Sequence, residues 1–222
     1  MILLETAGLT KVYGRAHGEV RALDGVSLAV GQGSFTVVTG GSGSGKTTLL
    51  LALGGLIRPT EGQVRHNGRD LYGLPERELA GYRNRSVGFV LQTFNLVPYL
   101  TAAENVMIPM LLNGHRPGGR RRKADALLDR LGMADRRDFL PRELSVGQQQ
   151  RVAIARALAN DPGIILADEP TGSLDRALAA DILGVLSELH RKDGRTIVMV
   201  THSNEAAACG DRRHRLAGGV LS

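Results

Sequence analysis

Residues 40–48, GGSGSGKTT, have the composition and spacing of a phosphate-binding loop. Glycines let several backbone N–H groups converge on one anion, and the N-terminus of a following helix adds partial positive charge. In the pattern Gly-x4-Gly-Lys-Ser/Thr, the lysine contacts the outer phosphates and the next hydroxyl group holds Mg²⁺. The candidate nucleotide-binding residues of this segment are Gly40, Gly41, Ser42, Gly43, Ser44, Gly45, Lys46, Thr47 and Thr48.

The residues on either side of this loop have the patterns of a buried strand and a helix. The run FTVV at 35–38 precedes the loop, and LLLAL at 49–53 follows it. A flexible glycine-rich turn is the structural alternative, but it does not explain a Lys-Thr pair between a strand and a helix. We therefore expect this loop to bind a nucleotide polyphosphate.

Two consecutive carboxylates, Asp168 and Glu169, follow the apolar run 164–167. A strand beside the loop would deliver both to the carboxyl edge of the sheet, where ligands bind in α/β folds. One carboxylate can orient water on Mg²⁺ while the next polarises the attacking water. We assign Asp168 to the metal and Glu169 to the general base. Taken alone, the pair could also be an acidic boundary between a strand and a turn.

A third segment, residues 145–151 (SVGQQQR), has the pattern of a helix N-terminus. Ser145 and Gln148 form a capping-box pair, which is a sufficient structural reason for both residues. Gly147 in the first turn costs roughly 1 kcal/mol relative to alanine, and close approach of an anion to the backbone would explain its presence. The sequence thus predicts a second helix start for phosphate, with one nucleotide shared between two copies of the chain.

Three further residues become candidate site residues only in combination with the motifs described above. Gln92 and His202 each follow a predicted strand, where Gln92 could place an oxygen near Mg²⁺ and His202 could contact a phosphate. Tyr13 could stack on an adenine base. Each has an ordinary alternative, namely a solvated loop glutamine, a structural histidine or an exposed tyrosine.

The elements that must position these residues alternate along the chain. Strand patterns fill much of the first third and return at 87–91, 163–167 and 196–201, whereas residues 100–160 are mainly helical in pattern. Strands alternating with helices predict an α/β fold with a mostly parallel sheet, into which the middle section is inserted.

The composition limits the classes of partner. A net charge of +6 and a pI near 10 favour an anionic contact, either a nucleotide, a nucleic acid or an acidic membrane face. Aromatic residues make up 4% of the chain with no tryptophan, which leaves little for stacking on nucleic-acid bases. The run RRRK at 120–123 is expected to be a solvated face, with anionic lipid as the alternative.

Cellular location is constrained by three absences in the sequence. The single cysteine, Cys209, excludes an intrachain disulfide and indicates a reducing compartment. The first residues, MILLE, are too short and too soon acidic for a signal peptide. No apolar stretch approaches the ~18 residues of a membrane span, so work at a membrane would need another chain.

Together these motifs resemble the nucleotide-binding subunit of an ABC transporter, and the resemblance spans nearly the whole chain. In the family's order they are Tyr13, the Walker A loop at 40–47, Gln92 of the Q-loop, the signature LSVGQ at 144–148, Walker B at 164–168, Glu169, the D-loop SLD at 173–175 and the switch His202. The resemblance implies an α/β fold: a P-loop NTPase core (mostly parallel sheet) with an antiparallel β-subdomain and an inserted helical subdomain. It predicts a single ABC ATPase domain over 1–222, with the helical signature subdomain at 92–160 and the β-subdomain plus RecA-like core at 1–91 and 161–222.

The resemblance also implies a role for each of these residues, with ATP and Mg²⁺ as cofactors. Two copies would sandwich two ATP molecules head to tail. The expected contacts are Tyr13 with adenine, Lys46 and His202 with the γ-phosphate, Thr47, Gln92 and Asp168 with Mg²⁺, and Ser145, Gly147 and Gln148 with the nucleotide of the other copy. The expected catalytic residues are Glu169, His202 and Lys46.

The implied partners are a second copy of the chain and transmembrane permease subunits, with no direct nucleic acid. ATP-dependent dimer closure followed by hydrolysis would drive the permease, and residues 93–98 resemble the groove wall that receives its coupling helices. Such a subunit is cytoplasmic and peripheral on the inner face of the cell membrane. The segments 89–96, 104–106 and 167–175 are similar to the lipoprotein-release and macrolide-export group.

One position departs from the family pattern, because Val146 stands where the first signature glycine is usual. A β-branched residue there could slow closure, so we expect reduced but real ATP turnover.

The alternative function is a soluble ABC-type ATPase that acts on nucleic acid or another non-transport partner. Chromosome and repair ATPases of this kind are split by long heptad coiled coils, and this sequence has no such insertion. A ribosome-acting relative would carry two heads in one chain. A P-loop kinase would need neither the signature at 144–148 nor Asp175.

Overall fold

The computed structural model describes residues 1–15, 18–111, 113 and 117–222, except for the side chains of Arg15 and Pro117. In chain order, the strands and helices are β1 (Ile2–Arg15), β2 (Gly18–Gly31), β3 (Phe35–Thr39), α1 (Lys46–Leu53), β4 (Glu61–His66), β5 (Arg69–Asp70), α2 (Glu76–Arg85), β6 (Val87–Val90), α3 (Ala102–Leu111), α4 (Pro117–Arg130), α5 (Val146–Ala157), β7 (Ile164–Asp168), α6 (Arg176–Arg191), β8 (Thr196–Thr201), α7 (Asn204–Ala207), β9 (Arg212–Ala217) and β10 (Val220–Leu221). Within these residues, every helix is too short or too polar to cross a bilayer.

Six strands form the predicted mostly parallel sheet, in the order β10-β9-β3-β8-β7-β6. Strand β3 pairs in parallel with β8 and β9, and β7 pairs in parallel with β6 and β8, while the short β10 runs antiparallel to β9. Strands β7 and β8 are buried along their whole length, as expected of parallel strands covered on both faces. Because β3 and β7 run in the same direction, the segments that follow them lie at the same edge of the sheet.

A second, antiparallel sheet has the order β2-β1-β4-β5. In the long β1–β2 pair, Tyr13 lies opposite Val20. Leu49 and Leu53 of α1 are fully buried in one cluster that also contains Val26 of β2 and Leu166 of β7. Helix α1 therefore joins the antiparallel sheet to the parallel one.

Helices α3, α4 and α5 pack against one another in the segment between β6 and β7. Their buried residues share a cluster with the other face of the parallel sheet, for example Val106, Leu128 and Ile154 with Ile165 and Ala167. Residues 112 and 114–116, which belong to the predicted helical section, lie outside the described residues. The charged run at 120–123 lies inside α4, where Arg121 forms ion pairs of 2.9 Å with Asp125 and with Asp138.

The segment between Gln92 and α3 is held by one buried side chain, Asn105 of α3. Its Oδ1 accepts a hydrogen bond from Val97 N at 2.7 Å, and its Nδ2 lies 2.9–3.2 Å from the carbonyl oxygens of Val97, Leu100 and Thr101. The amide thus replaces the secondary-structure bonds that this irregular segment lacks.

Replacement Asn105→Ala is expected to lower the free energy of unfolding by about 2–4 kcal/mol, because each buried polar group left unpaired costs on the order of 1–3 kcal/mol. Urea denaturation measures this change. The matched control is Asn204→Ala in α7, where the side chain is exposed and a change below about 0.5 kcal/mol is expected. Equal losses in the two variants would contradict the anchoring role of Asn105.

Candidate active site

The phosphate loop lies between β3 and α1, and two of its glycines are required by close backbone contacts. A Cβ on Gly40 would meet Leu216 O at 2.3 Å, and one on Gly45 would meet Ala22 O at 2.1 Å. Gly45 also has a φ of 102°, a left-handed conformation that side chains rarely adopt. The predicted loop is therefore wedged between β9 and β2, and any side chain at either glycine would displace it.

The ammonium group of Lys46 lies across the mouth of the loop. Its Nζ donates to Gly40 O at 2.8 Å and to Gly41 O at 2.9 Å, and it lies 3.6 Å from Glu169 Oε1. The residue is 7% exposed. This arrangement aims a single positive charge at the position where a phosphate bound to the loop would carry negative charge.

The two candidate carboxylates occupy the end of β7, as predicted. Burial raises the pKa of Asp168, and the neighbouring charge of Glu169 acts in the same direction. The Thr47 side chain and, more weakly, Lys46 oppose this increase in the pKa. Asp168 therefore lies against the first turn of α1, where its ionised form is costly without a further cation.

Glu169 is held in an unusual backbone conformation that points its carboxylate at β8. Its φ is 44°, and its N–H donates to Val200 O at 2.9 Å. Glu169 Oε1 lies 2.9 Å from His202 Nδ1, and Oε2 accepts from His202 N at 3.2 Å. A non-glycine residue with positive φ is sparsely populated and is found disproportionately at functional sites.

A cleft of about 460 Å³ brings most of the predicted catalytic and metal residues together. Its lining residues are Gly41, Ser42, Gly43, Lys46, Thr47, Gln92, Asp168, Glu169 and His202. A neighbouring cleft of about 300 Å³ is lined by Tyr13, Val20, Ala22, Gly43, Ser44, Gly45, Lys46, Thr47 and Thr48. The two clefts meet at the phosphate loop. The first has the polar lining that a phosphate chain needs, and the second lies beside the aromatic ring of Tyr13.

The sequence patterns did not identify Val20 and Ala22, which line the second cleft. Both belong to β2 and reach the loop because β2 pairs with β1, which carries Tyr13. No short motif marks such residues, and only the pairing of the two strands would have indicated them.

The structure does not bring the signature residues Ser145, Gly147 and Gln148 into either cleft. They begin α5, where the predicted capping box is present: Ser145 Oγ accepts from Gln148 N at 3.3 Å, and Ser145 N donates to Gln148 Oε1 at 2.9 Å. Between them, Val146 is 43% exposed. Within one copy, the site is therefore divided between the clefts and an exposed helix start.

Gly147 has a packing explanation that the sequence did not indicate. A Cβ at this position would come within 2.9 Å of Leu178 Cδ2 in α6. Close helix packing is thus one reason for the glycine, in addition to the approach of an anion that its position in the sequence predicts.

The side chains at this edge of the sheet fit a hard divalent cation. Thr47, Gln92 and Asp168 line one cleft and offer hydroxyl, amide and carboxylate oxygens, which are the donors that Mg²⁺ prefers. A cation there would also offset the cost of burying the Asp168 charge. In the described part of the chain, no group of three or more His, Cys, Asp or Glu has metal-binding geometry.

Replacement Asp168→Asn is expected to raise the midpoint of metal-free thermal unfolding near neutral pH, because the neutral amide avoids the cost of burying a charge. The folded-state pKa of Asp168 lies above its unfolded value, so the ionised wild type is penalised at every pH above the folded pKa. The difference should shrink as the pH falls below the folded-state pKa and vanish below the lower unfolded-state pKa, where Asp168 is neutral in both states. Calorimetry across this pH range tests the prediction, with the exposed Asp135→Asn as control; a lower midpoint for Asp168→Asn at neutral pH would contradict it.

Comparison with known proteins identifies the family. The pattern of the ABC transporter family matches residues 23–172. The chain is 46% identical to the lipoprotein-releasing system ATP-binding protein LolD of Geobacter metallireducens, over 98% of this chain and 96% of that protein. It is 45% identical to the macrolide export ATP-binding/permease protein MacB of Syntrophobacter fumaroxidans over 100% of this chain, but it spans only 31% of that protein. It likewise spans about a third of the length of other MacB proteins that it matches.

Solved structures agree with the fold. The ATP-binding cassette MJ0796, in a dimeric post-hydrolysis state bound to ADP and Pi, superposes with a TM-score of 0.92 at 40% sequence identity. The alignment covers 99% of this chain and 97% of that one. The predicted fold class is confirmed. With a family match over more than half of its length, the chain belongs to the ABC transporter family.

Proposed function

We propose that two copies of this chain close around Mg²⁺-ATP, hydrolyse it with Glu169 as the general base, and so drive a separate membrane permease. ATP binding and ATP hydrolysis follow from membership of the family, in agreement with the predicted enzyme class. One observation carries the rest of the proposal: Glu169 lies between Lys46 and His202 at the mouth of the phosphate loop.

The first step is binding of the triphosphate to the loop. Backbone N–H groups of residues 41–48 and the N-terminus of α1 would surround the β-phosphate. Lys46 would exchange its hydrogen bonds to Gly40 O and Gly41 O for phosphate oxygens, which carry more negative charge. The adenine would lie on the Tyr13 side, in the cleft that Val20 and Ala22 also line.

Thr47, Gln92 and Asp168 are the residues that would hold Mg²⁺, because they present oxygen donors in one cleft. The cation would neutralise charge that develops on the phosphate oxygens as the bond to the leaving group breaks. Its positive charge also lets the buried Asp168 remain ionised.

Hydrolysis needs a base beside the γ-phosphate, and Glu169 is placed for that role. Its carboxylate would accept a proton from the attacking water as oxygen bonds to phosphorus. His202 already contacts both Glu169 oxygens, one through Nδ1 and the other through its backbone N–H. The histidine therefore fixes the direction of the carboxylate and lies where its ring can reach the γ-phosphate.

The exposed start of α5 supports a site shared between two copies. Ser145, Gly147 and Gln148 lie outside the clefts of their own chain, and a helix N-terminus such as that of α5 is suited to binding an anion. The superposed cassette MJ0796 is a dimer with ADP and Pi. Two copies arranged head to tail would place each α5 start over the nucleotide held by the other copy.

The relatives suggest where this work is performed. LolD is named for lipoprotein release, and MacB is named as a protein that joins an ATP-binding part to a permease. We therefore place this chain against permease subunits on the cytoplasmic face of a membrane, in the lipoprotein-release and macrolide-export group. The segment 93–98 is the proposed contact; Arg156 holds its backbone by donating to Phe94 O and Asn95 O.

Replacement Glu169→Gln is expected to lower kcat for ATP by about 10²–10⁴-fold, because the amide cannot accept the proton of the attacking water. The amide keeps the size of the carboxylate, so the Kd for ATP should change by less than about threefold. Steady-state phosphate release and equilibrium binding of labelled ATP measure the two effects. Glu188→Gln, an exposed position on α6 paired with Lys192, is the control. Unchanged turnover in Glu169→Gln would remove Glu169 from the mechanism.

Replacement Val146→Gly is expected to raise turnover per chain by roughly 2–10-fold, since a crowded contact costs on the order of 1 kcal/mol and 1.4 kcal/mol is tenfold in rate. The gain should appear as tighter dimer closure, with ATP affinity at low protein concentration unchanged. Phosphate release measured as a function of chain concentration separates the two effects. Val220→Gly replaces another exposed valine, away from α5, and should leave the curve in place. A gain in both variants, or no gain in Val146→Gly, would count against a contact between the two copies at position 146.

A further inference from the structure

The third glutamine of the run 148–150 points into the protein, unlike its neighbours. Gln148 caps the start of α5, and Gln149 Nε2 donates to Leu144 O at 3.0 Å. Gln150 is fully buried, and its Nε2 donates to Pro170 O at 2.8 Å. Pro170 directly follows Glu169, so this bond joins α5 to the turn that carries the catalytic carboxylate.

That turn, residues 169–172, is bonded to β8 at its first residue, where Glu169 N donates to Val200 O at 2.9 Å. Glu169 adopts a φ of 44°, and the turn closes on itself through a bond from Gly172 N to Glu169 O at 3.0 Å. In the described residues, the Pro170 carbonyl accepts no other hydrogen bond than that from Gln150. Gln150 therefore holds the carbonyl of Pro170, while the neighbouring Glu169 is bonded to Val200 and His202.

Stability alone does not account for this glutamine. Gln150 Oε1 is buried without a hydrogen-bond partner in the described part of the chain, which lowers the free energy of unfolding. An apolar side chain of similar volume would remove that penalty but would leave the buried Pro170 carbonyl without its donor, so the two costs nearly offset each other.

We propose that Gln150 is a positioning residue for ATP hydrolysis, which fixes the Pro170 carbonyl and thereby the carboxylate of Glu169. This inference rests on the proposed role of Glu169 as the base. Helix α5 would then have two roles. Its start would contact the nucleotide of the other copy, and Gln150 would bond to the turn that carries Glu169 in its own chain. Movement of α5 when the two copies close is then transmitted to Glu169 through one hydrogen bond.

Replacement Gln150→Leu tests the proposal, with Gln149→Leu as the matched control on the same helix. Gln150→Leu is expected to lower kcat by about 10–100-fold, within the range by which misplacement of a catalytic group slows reactions. KM and the Kd for ATP should stay within about twofold, and the thermal midpoint should change little, because the variant removes one unpaired polar atom and creates another. Gln149→Leu should keep near-normal kcat. An unchanged kcat in Gln150→Leu, or an equal loss in both variants, would overturn the proposal.

Two further measurements guard against an indirect effect. Turnover is expressed per ATP-binding chain, so that unfolded protein does not imitate slow chemistry, and Gln150→Met serves as a second apolar variant of flexible shape. In the Glu169→Gln background, Gln150→Leu should cause no further loss, because a residue that acts through Glu169 has nothing left to position. A multiplicative further loss would show that Gln150 acts elsewhere.

The same series separates failure of this inference from failure of the proposed function. Normal turnover in Glu169→Gln would reject Glu169 as the base, and with it the mechanism above. Loss of turnover in Glu169→Gln with normal turnover in Gln150→Leu would reject only the positioning role.

Discussion

The structure depends on keeping two opposite charges, Lys46 and Glu169, close together where water has little access. Their side chains are 8% and 10% exposed, and Nζ lies 3.6 Å from Oε1. Burying such a pair costs desolvation energy that the mutual attraction barely repays, so the pair is weak evidence for stability. It agrees better with the proposed chemistry, in which Lys46 binds phosphate and Glu169 accepts a proton from water. The parallel sheet makes this possible by ending β3 and β7 at the same edge, although the two residues are far apart in sequence.

The partners of Lys46 in this cleft can be replaced by the phosphates of a bound nucleotide. Lys46 is held by two carbonyl oxygens and one carboxylate, all of which are weaker partners than a triphosphate. His202 contacts the same carboxylate of Glu169 from the solvent side. The His202 side chain is 65% exposed, whereas the Glu169 side chain is only 10% exposed. The base is therefore oriented from one side and open on the other. Exclusion of water, which strengthens every charge interaction in a site, has to come from a covering surface.

The sequence identified the parts of the site that are continuous in the chain. The phosphate loop, the carboxylates after β7 and the capping box of α5 each combine local geometry with chemistry, and the structure contains all three features. Long-range contacts were less accessible. Val20 reaches the loop only through β-pairing, and the need for glycine at 147 depends on a leucine in another helix.

The elements that the sequence patterns overlooked share a physical cause. Helix α2 has the sequence ERELAGYRNR, in which Leu79 and Tyr82 are the large buried side chains, so its apolar stripe is short. Strand β9 alternates arginines with few apolar residues because it lies near the edge of the sheet. Both elements are stabilised by their neighbours more than by their own hydrophobic pattern, and a pattern search has little to detect in them.

Helix α5 contacts the segment 168–178 at two points along its length. Gly147 packs directly on Leu178, and the N–H of Leu178 is capped by Asp175 Oδ1 at 2.9 Å, which links the helix start to the loop before α6. Gln150 reaches Pro170 two residues beyond Asp168, which links the middle of the helix to the end of β7. A rigid-body shift of α5 would therefore strain both ends of the segment 168–178. Because that segment carries Asp168 and Glu169, a shift of α5 caused by an anion at its start would, in the proposed mechanism, reach both carboxylates of the same chain.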